Sequence, residues 1–145
     1  MGLDCYIVHG NDRSKDFTSE DEPRIKDVSL CGGIMSGHGA DGSFRGKWYE
    51  PLIDELLETD YLWHIEGEDA HITAQQLKEQ AEALADLLHA IESDAKEEER
   101  TLEPDTIVYQ TRGWQKYEYQ YQDLKDLELL LRCASERGAV MVCWW

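Results

Sequence analysis

The sequence is poor in positive charge. Its 14 Lys and Arg stand against 31 Asp and Glu in 145 residues, a formal net charge of −17. A field of that sign repels nucleic acid and anionic membranes over most of the surface, so direct nucleic-acid binding is not expected. The chain also lacks any apolar run near the roughly 18 residues that a membrane span requires. Its opening, MGLDCYIVHGNDR, has no basic segment and soon turns polar, unlike a secretory leader. Position 6 is Tyr6, where myristoylation after Gly2 calls for Ser or Thr. A cytoplasmic protein is the expectation. Cys5, Cys31, Cys133 and Cys143 include no CxxC pair, which argues against a four-thiolate zinc site and for small buried thiols.

What is present is globular in character. With 41% apolar residues and five tryptophans, the chain can bury one core, and a single domain over 1–145 is expected. The acids are unevenly spread. Glu50, Asp54, Glu55, Glu58, Asp60, Glu66, Glu68 and Asp69 fall between Trp48 and Leu77 with no Lys or Arg among them. A second cluster runs from Glu92 to Glu103 and includes Glu97-Glu98-Glu99. Such crowding reads as a solvated face or as a surface for a basic partner. Salt adaptation and simple solubility account for the charge equally well.

Periodicity outlines the elements. Leu3 to Val8 reads as a first strand, and Val28 to Met35 as a second, interrupted by Gly32-Gly33. Trp48 to Leu57 reads as a helix, with Leu52, Ile53, Leu56 and Leu57 on one stripe and Pro51 in the first turn. Tyr61 to Ile65 is a candidate strand. Thr73 and Gln76 form a Thr-x-x-Gln capping box ahead of Leu77, Ala81, Leu84, Leu88 and Ile91, which predicts a helix from Ala74 to Ser93. Lys96 to Pro104 reads as an acidic connection, and Thr106 to Gln110 as a strand. Tyr117, Tyr119 and Tyr121 alternate as a strand would. Tyr117, Tyr121, Leu124, Leu127, Leu131 and Ala134 also keep helical spacing, and the sequence is read as a helix from Gln115 to Arg137, with Gly138 at C′. Val140 to Trp145 is the last strand, its closing Trp144-Trp145 read as packed into the core, with an exposed apolar patch for a partner as the alternative. The expected fold is α+β: a small, mostly antiparallel sheet that includes both terminal strands, with two main helices packed on one face. The two terminal strands, apolar almost throughout, are expected to be central.

The opening Met-Gly-Leu-Asp-x-Tyr resembles small bacterial and phage proteins of unassigned function that begin MGLD followed by an aromatic. WQKYEYQYQDLKDLELLL is similar to the Trp/Tyr/acid-rich segment that leads into a leucine-rich helix in that group. The block LCGGIMSGHGADGSFRGKWY looks like one found in hypothetical microbial proteins. The resemblance implies a microbial or phage origin and carries over no activity, cofactor or site residue.

That block raises the main functional question. It holds six of the chain's eleven glycines: Gly32, Gly33, Gly37, Gly39, Gly42 and Gly46. Gly37-His38-Gly39-Ala40-Asp41-Gly42 fits GxGxxG, but no long helix opens at the third glycine as a dinucleotide site requires. DGSFRGKW has Asp41 and Trp48 where a P-loop needs Gly and Ser or Thr, so the magnesium-binding hydroxyl is missing. A looser site remains. Backbone N–H groups of Gly37, Gly39 and Gly42, the hydroxyls of Ser36 and Ser43, His38, and the cations Arg45 and Lys47 could cradle a phosphate or carboxylate. Arg45 would supply a bidentate fork, with Trp48 or Tyr49 stacking on a ring. The opposing reading has Arg45 and Lys47 pairing with nearby acids while the glycines only turn the chain.

Other constellations are weaker. His64, Glu66 and His71 lie in HIEGEDAH, a nitrogen and oxygen set suited to Zn, Mn or Fe, yet without HExxH or EF-hand spacing. No GxSxG elbow is present, and Cys31 or a serine beside His38 would need a base that sequence cannot bring together. His9 and His89 read as structural or surface residues. The leading expectation is a binding module for an anionic small molecule, such as a nucleotide, at residues 36–49. The alternatives are an acidic interaction protein or DNA mimic for a basic partner, and a metal-dependent enzyme built on His64 and His71. No cofactor is specified.

Overall fold

The structure is a computed structural model, and it describes residues 4–30, 43–57, 71–110 and 116–144. In chain order these form β1 (Asp4–Val8), a short 3-10 turn (Pro23–Ile25), β2 (Ser43–Arg45), α1 (Gly46–Leu57), α2 (Ala74–Glu97), β3 (Ile107–Gln110), β4 (Glu118–Gln120), α3 (Tyr121–Glu136) and β5 (Val140–Trp144). The α+β expectation holds. Both terminal strands join one antiparallel sheet of order β2-β1-β5, and β3 and β4 make a separate two-stranded antiparallel sheet.

Strand β1 is central because its side chains are apolar on both faces. Cys5, Ile7 and Val8 are all fully buried. It pairs with β2 from Asp4↔Arg45 to Tyr6↔Ser43, and with β5 from Asp4↔Trp144 to Val8↔Val140. The far edge of β5 is engaged at one point, where Ile72 and Met141 exchange backbone bonds of 2.8 and 3.0 Å. After β1 the chain folds back on itself: Val8 bridges Asp16, and Phe17 N–H donates to the Ile7 carbonyl at 2.9 Å.

Helix α2 starts where its capping box predicts. The Thr73 hydroxyl accepts from Gln76 N–H at 3.2 Å, and the Gln76 amide oxygen accepts from Thr73 N–H at 2.9 Å. It buries Leu77, Ala81, Leu84 and Leu88 and packs along α3, whose Leu124, Leu127, Leu131 and Ala134 are buried in turn. Each buried leucine among them contributes about 1.5–3 kcal/mol by leaving water. The helix runs four residues past Ser93, taking in the start of the presumed acidic connection.

Helix α3 closes in a Schellman motif. Gly138 has φ +69°, its N–H donates to the Ser135 carbonyl at 3.1 Å, and Ala139 N–H donates to the Ala134 carbonyl at 2.9 Å. Cys5 and Cys133 are buried free thiols, as expected, and burial raises the Cys133 pKa. Cys31 lies outside the described residues, as do the side chains of Cys143, Trp144 and Trp145.

Several expectations need correction. The segment 115–137 is not one helix. Glu118–Gln120 is a strand, with Tyr119 buried and its two neighbours exposed, and the helix begins only at Tyr121. The alternation of tyrosines therefore outweighed the helical spacing, because Tyr119 has an aromatic cluster to enter. The break is capped by Asp123, whose carboxylate accepts from Gln120 N–H at 3.3 Å. Of the expected strand Val28–Met35, residues 28–30 form no strand and 31–35 lie outside the described residues. Ser29 N–H instead donates to the buried carboxylate of Asp126 on α3 at 3.2 Å. Helix α1 opens at Gly46, so Pro51 is its sixth residue and removes the bond that the Lys47 carbonyl would accept. The candidate strand Tyr61–Ile65 lies outside the described residues.

Candidate functional site

Strand β2 runs into α1 with no intervening residue, Arg45 ending the one and Gly46 opening the other. Strand β2 therefore stands between the glycine-rich segment and the N-terminus of α1, where aligned peptide dipoles favour negative charge beside Arg45. The first turn of α1 holds no acid. Ser36, Gly37, His38, Gly39 and Gly42 lie outside the described residues. Arg45 and Lys47 are described as backbone only, with Arg45 directly across from Asp4 in the sheet register. Ser43 is fully buried.

The two aromatic candidates part company. Tyr49 is fully buried, edge-on to Phe44 at 5.5 Å and stacked on Tyr119 at 5.8 Å, so its ring belongs to the core and is not offered to a ligand. Trp48 is half-buried and meets Tyr117 edge-on at 5.2 Å. The Tyr119 hydroxyl donates to the Trp48 carbonyl, tying the β3–β4 sheet to the first turn of α1. Burial pushes the Tyr119 pKa upward, with Tyr49 and Tyr117 adding to the effect. Asp123, which accepts weakly from the Tyr49 hydroxyl at 3.5 Å, also has its pKa raised, mainly by burial and further by Asp126. This sheet support is hidden in the sequence because helical spacing draws Tyr117 and Tyr119 into the expected helix 115–137.

Of the metal candidates, His64 and Glu66 lie outside the described residues and His71 is half-buried. Among the described residues no group of three or more His, Cys, Asp or Glu could hold a metal ion. No helix among the described residues is long and apolar enough to cross a membrane.

Two further features were not legible in the sequence. A cleft of about 540 Å3 lies between α2, α3 and the 3-10 turn, with Leu88 and Leu129 among its apolar walls and Lys125 and Glu92 among its charges. Tyr121 closes part of this contact by donating to Glu92 at 2.8 Å while Lys125 sits 5.2 Å from the Tyr121 ring centre. A second cleft, of about 450 Å3, lies where the loop after β1 meets the end of α3, and His9, Asn11, Asp21 and Arg137 line it. His9 Nε2 lies 3.2 Å from Asp21 Oδ2. Nothing in local spacing joins residue 9 to residue 137; the sheet does.

Compared with known proteins, the chain matches no family model, no curated protein and no solved structure.

Proposed function

We propose that the protein is a binding module for an anionic small molecule, with a nucleotide as the leading class, held by the glycine-rich segment 36–49. The observation that carries this reading is the direct passage from β2 into α1. Arg45 thereby stands at the positive pole of a twelve-residue helix whose first turn is free of acids, with the glycine segment one short strand before it in sequence. In a chain of charge −17, Arg45 and Lys47 flank that pole in sequence. Trp48 supplies the ring for stacking, a role that Tyr49 does not share.

Native mass spectrometry after incubation with a cell nucleotide extract tests the proposal. The expected result is an added mass retained by the native protein and lost in Arg45→Ala, with the circular dichroism of the two unchanged. A bare protein in both samples, or equal retention by the variant, would overturn it.

A second reading has its own support. Glu79, Glu82, Asp86, Asp94 and Glu97 are all exposed along α2, forming an acidic helix flank suited to a basic protein partner. Binding of that kind weakens steeply as salt is raised. An interaction indifferent to salt would count against it.

A further inference from the structure

We propose a second ligand site, distinct from the glycine loop: a phosphate-binding cleft formed by His9, Asn11 and Arg137. Strand β1 is roughly 13 Å long. Arg45 stands opposite Asp4 at one end, and His9 directly follows Val8 at the other.

The cleft is a built feature. Its walls come from the end of β1, the fold-back loop and the C-terminal turn of α3. Gly10 lets these elements meet: a Cβ at that position would lie 2.2 Å from the Gly138 carbonyl oxygen. His9 is fixed on two sides. Its Nε2 pairs with Asp21 at 3.2 Å, and its ring stands edge-on to Phe17 at 6.0 Å. Asp21 is itself held, its Oδ2 accepting from Thr18 N–H at 3.0 Å.

This arrangement leaves polar groups over. With His9 Nε2 turned to Asp21, its Nδ1 has no partner among the described residues. Arg137 uses Nε on Glu22 at 3.0 Å, and its terminal N–H groups have no acceptor among the described residues. The Asn11 amide has no partner there either. Donors from a guanidinium and an amide, together with one imidazole nitrogen that would accept, come from separate elements around one cleft. That set matches a phosphate group in its hydrogen-bearing form, whose bare oxygens accept while its O–H donates. Sulfate offers oxygens but no O–H, so His9 gives the site a means of telling the two apart. The cleft's 450 Å3 exceeds a bare phosphate and leaves room for a small organic group esterified to it. The loop itself, Gly10 to Lys15, carries two cations, Arg13 and Lys15, against the single carboxylate of Asp12. Asp12 is turned onto Ser14, accepting from its N–H at 3.1 Å.

Titration of the full chain with inorganic phosphate, followed by amide NMR, tests the site. Saturable shifts are expected at Gly10, Asn11, Gly138 and Ala139, with sulfate binding about ten-fold more weakly or worse. Asn11→Asp changes an exposed residue, so the fold is retained while a carboxylate enters the cleft. Its phosphate affinity is expected to fall about ten-fold or more. His9→Gln is expected to bring the phosphate and sulfate affinities together. Absence of saturable shifts at those amides, or shifts unaltered by Asn11→Asp, would overturn the proposal. Equal binding of phosphate and sulfate by the native chain would overturn the role of His9.

Discussion

The carboxylate of Glu22 and the guanidinium of Arg137 meet at 3.0 Å although 115 residues separate them. Glu22 is 2% exposed and also accepts from Arg24 Nε at 3.0 Å and Nη2 at 3.1 Å, and Arg24 reaches on to Glu136 at 2.6 Å. These bonds fasten the 3-10 turn to the end of α3. They hold the Glu22 pKa near about 2, down from an ordinary 4.5, through Arg24 first and Arg137 second. A carboxyl whose pKa is lower in the folded state stabilises the fold above its unfolded value and ceases to do so as pH falls through the folded one. Stability is therefore expected to decline between about pH 4.5 and pH 2. Glu22→Gln should be less stable at neutral pH and flatter across that window. Urea melts at several pH values check this, and parallel pH profiles for the two proteins would contradict it.

Gly10 and Gly138 are constrained for different reasons. Gly10 has no room, since its Cβ would strike the Gly138 carbonyl, whereas Gly138 has open space but φ +69°. Gly10→Ala forces backbone to shift and should cost about 1–3 kcal/mol, as overpacking does. Gly138→Ala should cost about 1–2 kcal/mol from left-handed strain alone. Because Gly10 packs against the Gly138 carbonyl, a backbone shift at either residue changes the other's surroundings, and the double variant should depart from additivity. Equilibrium denaturation of the three variants would show it.

The elements legible in the sequence are those whose signals are local. The capping box at Thr73, the stripe from Leu77 to Leu88, the apolar strand at Cys5 to Val8 and the glycine at 138 each specify structure within a few residues. Failures came where distant chain decides. Tyr119 sits in a strand because Trp48 and Tyr49 provide a place for its ring, about 70 residues earlier in the sequence. Val28–Leu30 follows Asp126 on α3 and not a neighbouring strand. The glycine loop was visible by composition, and its junction with α1 by the apolar stripe. The cleft at His9 was not, because it depends on the register of β1 with β5 and on where α3 stops.

The Tyr119 hydroxyl, donating to Trp48 O, gives a direct handle on that tertiary override. Tyr119→Phe removes the donor while keeping the ring, and should cost about 1 kcal/mol. Its raised pKa adds a pH signature. A phenol that ionises less readily when folded stabilises the protein below its ordinary value of 10.0 and loses that contribution as pH rises past it. Alkaline unfolding should thus occur at higher pH in Tyr119→Phe relative to its own neutral stability, as ultraviolet absorbance of tyrosinate would report.

Gln80 presents the opposite case, a polar group with nothing to answer it. It is 2% exposed on the inner face of α2, one residue before Ala81, and neither its amide nitrogen nor its amide oxygen has a hydrogen-bond partner among the described residues. Leaving such groups buried and unpaired costs about 1–3 kcal/mol. Methionine is similarly long and unbranched, fills the same space and carries no amide to satisfy. Gln80→Met is therefore expected to stabilise the protein by about 1–3 kcal/mol, read as a higher urea midpoint at unchanged slope. The size of the gain has a structural meaning. A buried water or a ligand group bonded to the amide would be lost on substitution, and the variant would then be less stable than the native chain. A rise in midpoint means a dry, unsatisfied amide in the core; a fall means that α2 holds something there, which high-resolution diffraction of the native protein would reveal beside Gln80.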